Sequence, residues 1–335
     1  MVDRLGMEVS PMCTAITYCT KDHYFGRNLD LEYSYQESIT ITPRAFSFPF
    51  RHVEELKRHH AMIGMAYIQQ NYPLYYEATN EVGLSMAGLN FPESAVYRDI
   101  EPGKDNLAPF ELIPWVLGRC ANLQQARACL EKVNLIREPF SAQLPLSPLH
   151  WLVCSREGAL VVEPRKEGLR LYENPVGVLT NEPPFPFHWA NLNNYLNLTA
   201  DVPDNRFSQN VELTRYSHGM GAMGLPGDLS SASRFVRAAF VKLNSVSGDG
   251  EEESVAQFFH ILGSVAQQQG CVRLGEGKYE RTVYSCCCNT DRGIYYYNTY
   301  ENCGLTAVEL HRENLDGNHL SAYPMKTKLY LVCQN

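Results

Sequence analysis

The N-terminal part of the chain alternates apolar with polar or small side chains, a pattern that is typical of β-strands. It predicts strands at residues 14–20, 23–31, 38–42, 61–68 and 82–89. Lys21 and Asp22 separate the first two segments as a tight turn does. These two strands are therefore expected to pair as an antiparallel hairpin.

Apolar residues at helical spacing follow, and β-rich segments then return twice. Helices are predicted at residues 109–120, from an N-cap at Asn122 to about 133, at 231–243 with a serine N-cap, and at 254–267. Further strands are predicted at 149–154, 160–163, 169–172, 176–180, 282–288, 293–299, 306–310 and 328–333. This order favours layered sheets with helices outside, in one domain, because no repeat or linker divides the chain. A Rossmann fold is not expected, because no G-x-G-x-x-G motif stands at a strand–helix turn and no strand–helix alternation is sustained.

Composition excludes several classes of protein. Of the 335 residues, 44% are hydrophobic and 20% charged, which is typical of globular rather than disordered chains. The formal charge of −8 argues against binding to nucleic acid or to anionic membranes. No run of about 18 apolar residues predicts a membrane span, and residues 1–12 lack the apolar core of a secretory signal. The eleven cysteines, an odd number, are therefore interpreted as mostly reduced thiols in the cytoplasm.

Cys13 stands directly before the first predicted strand, preceded by Met12. If processing leaves Cys13 as the first residue, its α-amine, with a pKa of roughly 7.7–8.0, lies beside its own thiol, with a pKa of about 8.5. One residue then supplies both nucleophile and base. The predicted hairpin brings Arg27 and Asp30 towards Cys13, where a guanidinium lowers the pKa of the thiol and a carboxylate holds the α-ammonium. The alternative, which spacing alone favours, is a buried structural cysteine and a surface Arg–Asp pair.

Several motifs resemble those of the choloylglycine hydrolase family, the group of bile salt hydrolases and penicillin V acylases. Cys13-Thr14 and residues 25–30 (Phe-Gly-Arg-Asn-Leu-Asp) resemble the start of these proteins. The resemblance continues in the family's order through residues 87–92 (Ala-Gly-Leu-Asn-Phe-Pro), 177–181 (Gly-Val-Leu-Thr-Asn), 224–228 (Gly-Leu-Pro-Gly-Asp), 233–235 (Ser-Arg-Phe) and 293–300 (Gly-Ile-Tyr-Tyr-Tyr-Asn-Thr-Tyr). It spans most of the chain and favours the catalytic interpretation of Cys13 over the structural one.

The resemblance implies an α+β fold, the four-layer αββα sandwich of the N-terminal-nucleophile hydrolases, over residues 13–335. It implies no cofactor and no metal. Cys13 is then the nucleophile, its freed α-amine the acid and base, and Arg27 and Asp30 orient and tune that cysteine. Asn90 and Asn181 help to form the oxyanion hole. The catalytic residues that the resemblance implies are Cys13, Arg27, Asp30, Asn90, Asn181 and Arg234, of which the last adds positive charge.

The resemblance also implies a substrate class. Penicillin V acylases tend to carry Tyr where this chain has Asn90, so the chain looks more like a bile salt hydrolase, which cleaves glycine- or taurine-conjugated bile acids. A rigid steroid needs an apolar pocket. The candidate pocket residues, each of which equally suits an ordinary core, are Leu29, Tyr35, Ile68, Phe140 and Leu144. Two alternatives stay open: a penicillin V acylase with the same machinery, and an inert bile-salt or lipid-binding homologue. Family members are commonly tetramers, so a homotetramer without stable membrane insertion is expected.

Residues 1–12 depart from the family pattern, because members of this subgroup usually start at Met-Cys. Translation from Met12, a propeptide that is cut autocatalytically and an artefactual extension are three explanations. The first is favoured, and a retained leader predicts an inactive enzyme. The run Cys286–Cys288 does not predict a metal site, since Cys287 points away from its neighbours on a strand and no histidine stands at zinc spacing.

Overall fold

The computed structural model describes residues 12–275 and 277–335, which form strands and helices in alternating groups. The strands are β1 (Cys13–Cys19), β2 (His23–Leu31), β3 (Ser38–Thr42), β4 (Met62–Gln69), β5 (Tyr72–Asn80), β6 (Ser85–Asn90), β7 (Asp105–Leu107), β8 (Val133–Leu135), β9 (Leu149–Ser155), β10 (Gly158–Arg165), β11 (Gly168–Glu173), β12 (Val178–Leu179), β13 (Val272–Gly275), β14 (Lys278–Asn289), β15 (Ile294–Thr299), β16 (Thr306–Glu309) and β17 (Ser321–Pro324). The helices are α1 (Leu112–Arg119), α2 (Leu123–Leu130), α3 (Phe185–Asn191), α4 (Ser231–Asn244) and α5 (Glu251–Gly263).

Two antiparallel sheets lie at the centre of the fold. One has the order β12-β1-β2-β14-β15-β16, with β13 paired to β14, and the other has the order β11-β10-β9-β6-β5-β4-β3-β17. A short parallel pair, β7 and β8, lies apart from both. The first and last parts of the chain therefore meet in one sheet, where β2 and β14 are neighbours.

The sheets pack face to face, with helices covering the outer face of each. Helices α4 and α5 contact β1, β2 and β14 of the first sheet, whereas α1 and α2 contact β5, β6, β9 and β10 of the second. One core cluster combines residues of both sheets with α4 and α5, including Ala15, Phe25, Met65, Leu89, Phe235 and Phe258. The expected four-layer αββα sandwich is confirmed. None of the helices within the described ranges has both the length and the apolar character that crossing a bilayer requires.

Most elements agree with the sequence pattern. The first two strands pair as the predicted hairpin, with Cys13 opposite Leu29 and Ala15 opposite Arg27. Asn122 caps α2, because its side chain accepts a hydrogen bond from the amide of Gln125 at 2.9 Å. That helix ends at Leu130 rather than near residue 133, where β8 begins.

Other expectations were wrong. Residues 328–333 form no strand. The free edge of β3 pairs with Ser321–Pro324 instead, so the apolar residues at 328–333 have no strand to pair with. Helix α5 begins at Glu251, earlier than its first apolar residue, because three acids in its first turn favour the positive end of the helix dipole. The pattern missed β5 and also α3, which follows two prolines. The predicted leader lies outside the described residues except for Met12.

Candidate active site

Cys13 opens β1 in the middle of the molecule, and its side chain is only 2% exposed. The hairpin register places Cys13 opposite Leu29 and Ala15 opposite Arg27. Because side chains of opposed residues share a face of the sheet, the Cys13 thiol and the Arg27 guanidinium lie on the same side. The local spacing in sequence therefore does bring the predicted nucleophile and its cationic neighbour together.

The backbone of Cys13 is held by two side chains from distant parts of the chain. Its amide donates to Asn181 Oδ1 at 2.8 Å, and its carbonyl accepts from Arg234 Nη1 at 2.6 Å. The same guanidinium donates to the Thr14 hydroxyl at 2.7 Å and to Asn181 Oδ1 at 2.8 Å. Arg234 is fully buried near the start of α4. The nitrogen and the carbonyl of residue 13 are thereby fixed in orientation.

Asn181 is itself fixed from several sides. Its backbone amide donates to the Ser231 hydroxyl at 2.9 Å, and its side-chain Nδ2 donates to the carbonyl of Asn90 at 2.9 Å. Its own carbonyl accepts from His188 Nε2 at 3.0 Å. Burial lowers the pKa of His188 to about 4, so this ring is neutral and carries its proton on the nitrogen that donates. Sequence reasoning did not identify His188, because it lies in α3, the helix that the pattern missed.

Arg27 is buried between the two sheets. Its Nη1 donates to the carbonyls of Gly88 at 2.6 Å and Tyr76 at 3.2 Å, and lies 3.8 Å from Glu77 Oε2. Glu77 also accepts hydrogen bonds from the hydroxyls of Tyr284 at 2.8 Å and Tyr295 at 2.6 Å. A buried guanidinium requires such a counter-charge. From the sequence, a buried Arg27 would have predicted an acidic partner, but not which acid it is.

Asp30 lies on the other side of the hairpin strand from Arg27. Its Oδ1 accepts from the Thr282 hydroxyl at 2.6 Å, and its backbone amide donates to the carbonyl of Met12 at 3.1 Å. Burial raises the pKa of Asp30 to about 6, although Arg234 and Thr282 both favour the carboxylate. The backbone of Asp30 is thus next to the carbonyl that precedes Cys13.

Burial also raises the pKa of the Cys13 thiol, and the charge of Arg27 acts in the opposite direction. A thiol that is buried in this way needs a base to take its proton. With residue 12 attached, the nitrogen of Cys13 is an amide and cannot be that base. The arrangement therefore supplies an orienting frame for a nucleophile whose activation requires a free α-amine.

A cavity of about 530 Å³ opens beside Cys13. Arg27 and Asn90 also line it, and so do four of the five predicted pocket residues, Leu29, Tyr35, Phe140 and Leu144. Ile68 is not among its lining residues, whereas Tyr67 is, because neighbouring side chains of a strand point to opposite faces. The wall is rich in further aromatic and aliphatic side chains that the sequence did not identify, including Leu31, Tyr33, Leu74, Tyr75, Tyr76, Phe110, Ile113, Leu146 and Trp151.

The cysteine run Cys286–Cys288 is buried in the core. Cys286 Sγ contacts Glu77 Oε1 at 3.6 Å between the sheets, whereas Cys287 lies near Glu251 of α5 on the opposite face. Across residues 12–275 and 277–335, no group of three His, Cys, Asp or Glu side chains is placed to hold a metal ion. All eleven cysteines lie in these ranges and are free thiols.

Comparisons with known proteins agree with this geometry. Residues 13–323 match the family described as linear amide C–N hydrolases, choloylglycine hydrolase family. A bile salt hydrolase/transferase from Lactiplantibacillus plantarum is 54% identical, over 97% of this chain and 100% of that protein.

Solved structures extend the comparison. A crystal structure of a conjugated bile acid hydrolase variant from Clostridium perfringens has a TM-score of 0.89 and 38% identity, covering 96% of this chain and all of that chain. Penicillin V acylase from Agrobacterium tumefaciens has a TM-score of 0.72 at 17% identity, over 95% of this chain and 99% of that chain, and at that identity the likeness concerns the fold alone. The chain belongs to the choloylglycine hydrolase family of linear amide C–N hydrolases.

Proposed function

We propose that this protein is a bile salt hydrolase, which cleaves the amide bond of glycine- or taurine-conjugated bile acids. The observation that carries the proposal is the position of Cys13. The backbone of Cys13 is hydrogen-bonded to Asn181 and Arg234, and Cys13 borders a largely apolar cavity of about 530 Å³. A cavity of this size and lining suits a rigid apolar ligand with one reactive polar end. The similarity to proteins named as bile salt hydrolases supports the same substrate class.

The reaction begins once residue 12 has been removed. The free α-amine of Cys13 takes the thiol proton, and the sulfur attacks the carbonyl carbon of the substrate amide. The tetrahedral intermediate collapses with cleavage of the C–N bond, and the proton passes to the departing nitrogen, which releases glycine or taurine. The bile acyl group remains as a thioester on Cys13. Water, deprotonated by the same amine, then hydrolyses the thioester and restores the thiol.

Asn90 is the proposed side-chain donor to the oxyanion. It lines the cavity next to Cys13, and its carbonyl is held by Asn181 Nδ2. Asn181 in turn bonds the Cys13 nitrogen, so we assign it to both tasks: it orients Asn90 and it fixes the nitrogen that acts as base. Fixed donors of this kind stabilise the charge that develops on the carbonyl oxygen.

Arg27 and Asp30 complete the proposed machinery from opposite sides of Cys13. Arg27 Nη1 is engaged with backbone carbonyls, whereas Nη2 has no hydrogen-bond partner among the described residues and is available to the thiolate or to the substrate. The backbone amide of Asp30 bonds the carbonyl of Met12, and we assign its carboxylate to stabilising the ammonium form of the Cys13 amine. Arg234 offsets that negative charge while it holds the carbonyl of Cys13.

The test is a substrate comparison on protein whose first residue is Cys13, verified by intact mass. Release of taurine from taurocholate and of glycine from glycocholate, with little cleavage of penicillin V, is expected. The reverse ranking would make the protein a penicillin V acylase, and binding of taurocholate without turnover would make it an inert binding homologue. The variant Cys13→Ser serves as the control for contaminating hydrolase. Protein that retains residues 1–12 is expected to be inactive, and full activity in that form would refute the mechanism.

We further propose that residues 13–335 act as one domain within a cytoplasmic homotetramer. Both sheets contribute to one core cluster, and the free thiols suit a reducing compartment. Large apolar side chains are exposed on the long segment between α3 and α4, among them Leu196 at 83%, Phe207 at 84% and Tyr216 at 80%. Exposed apolar surface of this kind marks interaction sites. Light scattering of the purified protein should give four times the mass of one chain, and the variant Phe207→Ser should lower that mass.

A further inference from the structure

Glu280 is a buried carboxyl group near the start of β14 that the proposed mechanism does not use. Its Oε1 accepts a hydrogen bond from the backbone amide of Met12, and its Oε2 has no hydrogen-bond partner among the described residues. It stands two residues before Thr282, which bonds Asp30. Because residues two apart on a strand share a face, the side chains of Glu280 and Thr282 lie on the same face of β14.

The backbone on both sides of the bond between Met12 and Cys13 is held at three points. Met12 donates to Glu280, the Met12 carbonyl accepts from the amide of Asp30 at 3.1 Å, and Cys13 donates to Asn181 Oδ1 at 2.8 Å. Removing residue 12 takes away the donor of Glu280 but leaves the bond to Asn181. A buried carboxyl group without a donor is costly, so Glu280 needs a new partner. The nearest group that gains N–H donors at this step is the α-amine of Cys13.

We propose that in the processed enzyme Glu280 is a positioning residue for the α-amino group of Cys13, accepting one of its N–H groups directly or through one water in the former place of the Met12 nitrogen. This inference rests on the proposed function, in which that amine is the acid and base. It assigns to Glu280 the control of the orientation and the protonation of the amine. Asn181 and Glu280 then hold two of its three possible hydrogens, and the remaining site faces the thiol.

The charges around Glu280 come from three packed elements. Asp30 lies on β2, Cys13 begins β1, and Arg234 lies on α4. With residue 12 attached, burial raises the pKa of Glu280 to about 8, and the charge of Asp30 adds to this increase. An α-ammonium at Cys13 would lower that pKa, because each charge of a close pair stabilises the other. By the same reasoning, the Glu280 carboxylate raises the pKa of the amine.

The experiment compares Glu280→Gln with wild type, both prepared with Cys13 as the first residue and checked by intact mass. The acid limb of kcat/KM against pH reports the ionisation of the free enzyme's base. Without the carboxylate the ammonium loses a stabilising charge, so the limb should move to lower pH by about one unit. Glu280→Ala also loses the acceptor and should lower kcat by about 10- to 100-fold with little change in KM. An unmoved acid limb in Glu280→Gln would overturn the proposal.

A matched control and an independent readout complete the design. Glu163 is equally buried and also has a carboxylate oxygen without a partner among the described residues, so Glu163→Gln should leave the acid limb where it is in wild type. A shift as large in this control as in Glu280→Gln would overturn the assignment. Alkylation of Cys13 by iodoacetamide across pH needs no substrate. The pH dependence of the alkylation rate should shift in Glu280→Gln even if taurocholate is not cleaved. Failure of the proposed function and failure of this inference therefore remain distinguishable.

Discussion

Two regions meet at Cys13, and they are built in different ways. The polar cluster, comprising Cys13, Asp30, Asn181, Arg234 and Glu280, is buried and lies on or next to regular elements. Its bonds join residues that are 168 and 221 positions apart along the chain. Bonds of this kind exist only when the first sheet and α4 are in place, so the cluster is as rigid as these elements.

The cavity wall has a different character, because it combines strand residues such as Leu29 and Leu74 with residues from loops. Tyr35, Phe140 and Leu144 lie in the segments after β2 and before β9. Tyr35 is 46% exposed. Loops tolerate change and carry specificity, while the elements that support them fix the chemistry. The comparison teaches that substitutions in the polar cluster should act on kcat, and substitutions in the cavity wall on KM and on the choice of substrate.

The largest effect is expected at the nucleophile. Cys13→Ser should lower kcat for taurocholate by at least about 10³-fold, because a hydroxyl is a much weaker nucleophile at the same place. The thermal midpoint should stay within a few degrees, since the substitution changes one atom and keeps the bonds to the backbone. Calorimetry alongside taurine release checks both points. Wild-type turnover in this variant would show that Cys13 is not the nucleophile.

The next largest effect is expected where the two regions touch. Asn90→Ala removes the proposed oxyanion donor and should lower kcat by about 10²–10³-fold, the usual cost of losing one such donor. KM should change by less than about threefold, because the donor acts mainly in the transition state. Steady-state kinetics with glycocholate measure both constants. A rise in KM at unchanged kcat would instead assign Asn90 to the cavity wall.

The sequence predicted the part of the site that local spacing controls. The turn between β1 and β2 sets the hairpin register, so the proximity of Arg27 to Cys13 could be inferred from the chain alone. Glu280 could not, because its position requires β14 to pair with β2, and no local pattern specifies which distant strand becomes a neighbour. Glu77 was missed for the same reason, as it reaches Arg27 only across the gap between the two sheets.

The cavity wall was predicted less well than the polar cluster, again for a physical reason. Successive side chains of a strand point to opposite faces of the sheet, so every second residue can face a cavity, and a bulge shifts this alternation by one residue. The pairing of β4 with β5 shifts register between Met65 and Ala66, just before Tyr67 and Ile68. The family resemblance identified residue types with a chemical task, whereas the wall requires only apolar side chains of suitable size. Such positions look the same as core positions in a sequence.

A smaller effect concerns stability and pH. Burial raises the pKa of Asp30 to about 6 in the chain that retains residue 12, above its ordinary value near 3.9. A raised carboxyl pKa contributes stability that is present below about pH 4 and lost as pH rises through 6, because the folded state then binds more protons than the unfolded state. Between pH 4 and 7, the free energy of unfolding should therefore fall by roughly 1–3 kcal/mol less in Asp30→Asn than in wild type.

Urea unfolding of the residue-12-containing chain at several pH values measures the Asp30 effect. The same pH series on Phe140→Ala is the control, because that side chain does not ionise and its curve should run parallel to wild type. Equal slopes for wild type and Asp30→Asn would contradict the raised pKa. Glu280 contributes a decline of the same sign from about pH 4 to about pH 8, which overlaps this range, so the Asp30 effect is the difference between the slopes of wild type and Asp30→Asn.

The smallest expected effect is in the cavity wall. Phe140 packs edge-to-face against Phe110, with ring centroids 5.1 Å apart, and lines the cavity. Phe140→Ala should raise KM for taurocholate by about 3- to 30-fold with kcat within about twofold, since lost apolar contact weakens ground state and transition state alike. Ile68→Ala is the matched control: it is also an apolar truncation at a predicted pocket position, but outside the lining, and should leave KM unchanged. If Ile68→Ala raised KM as much as Phe140→Ala, the cavity would not be the steroid site, and the division between a rigid polar cluster and a variable wall would fail.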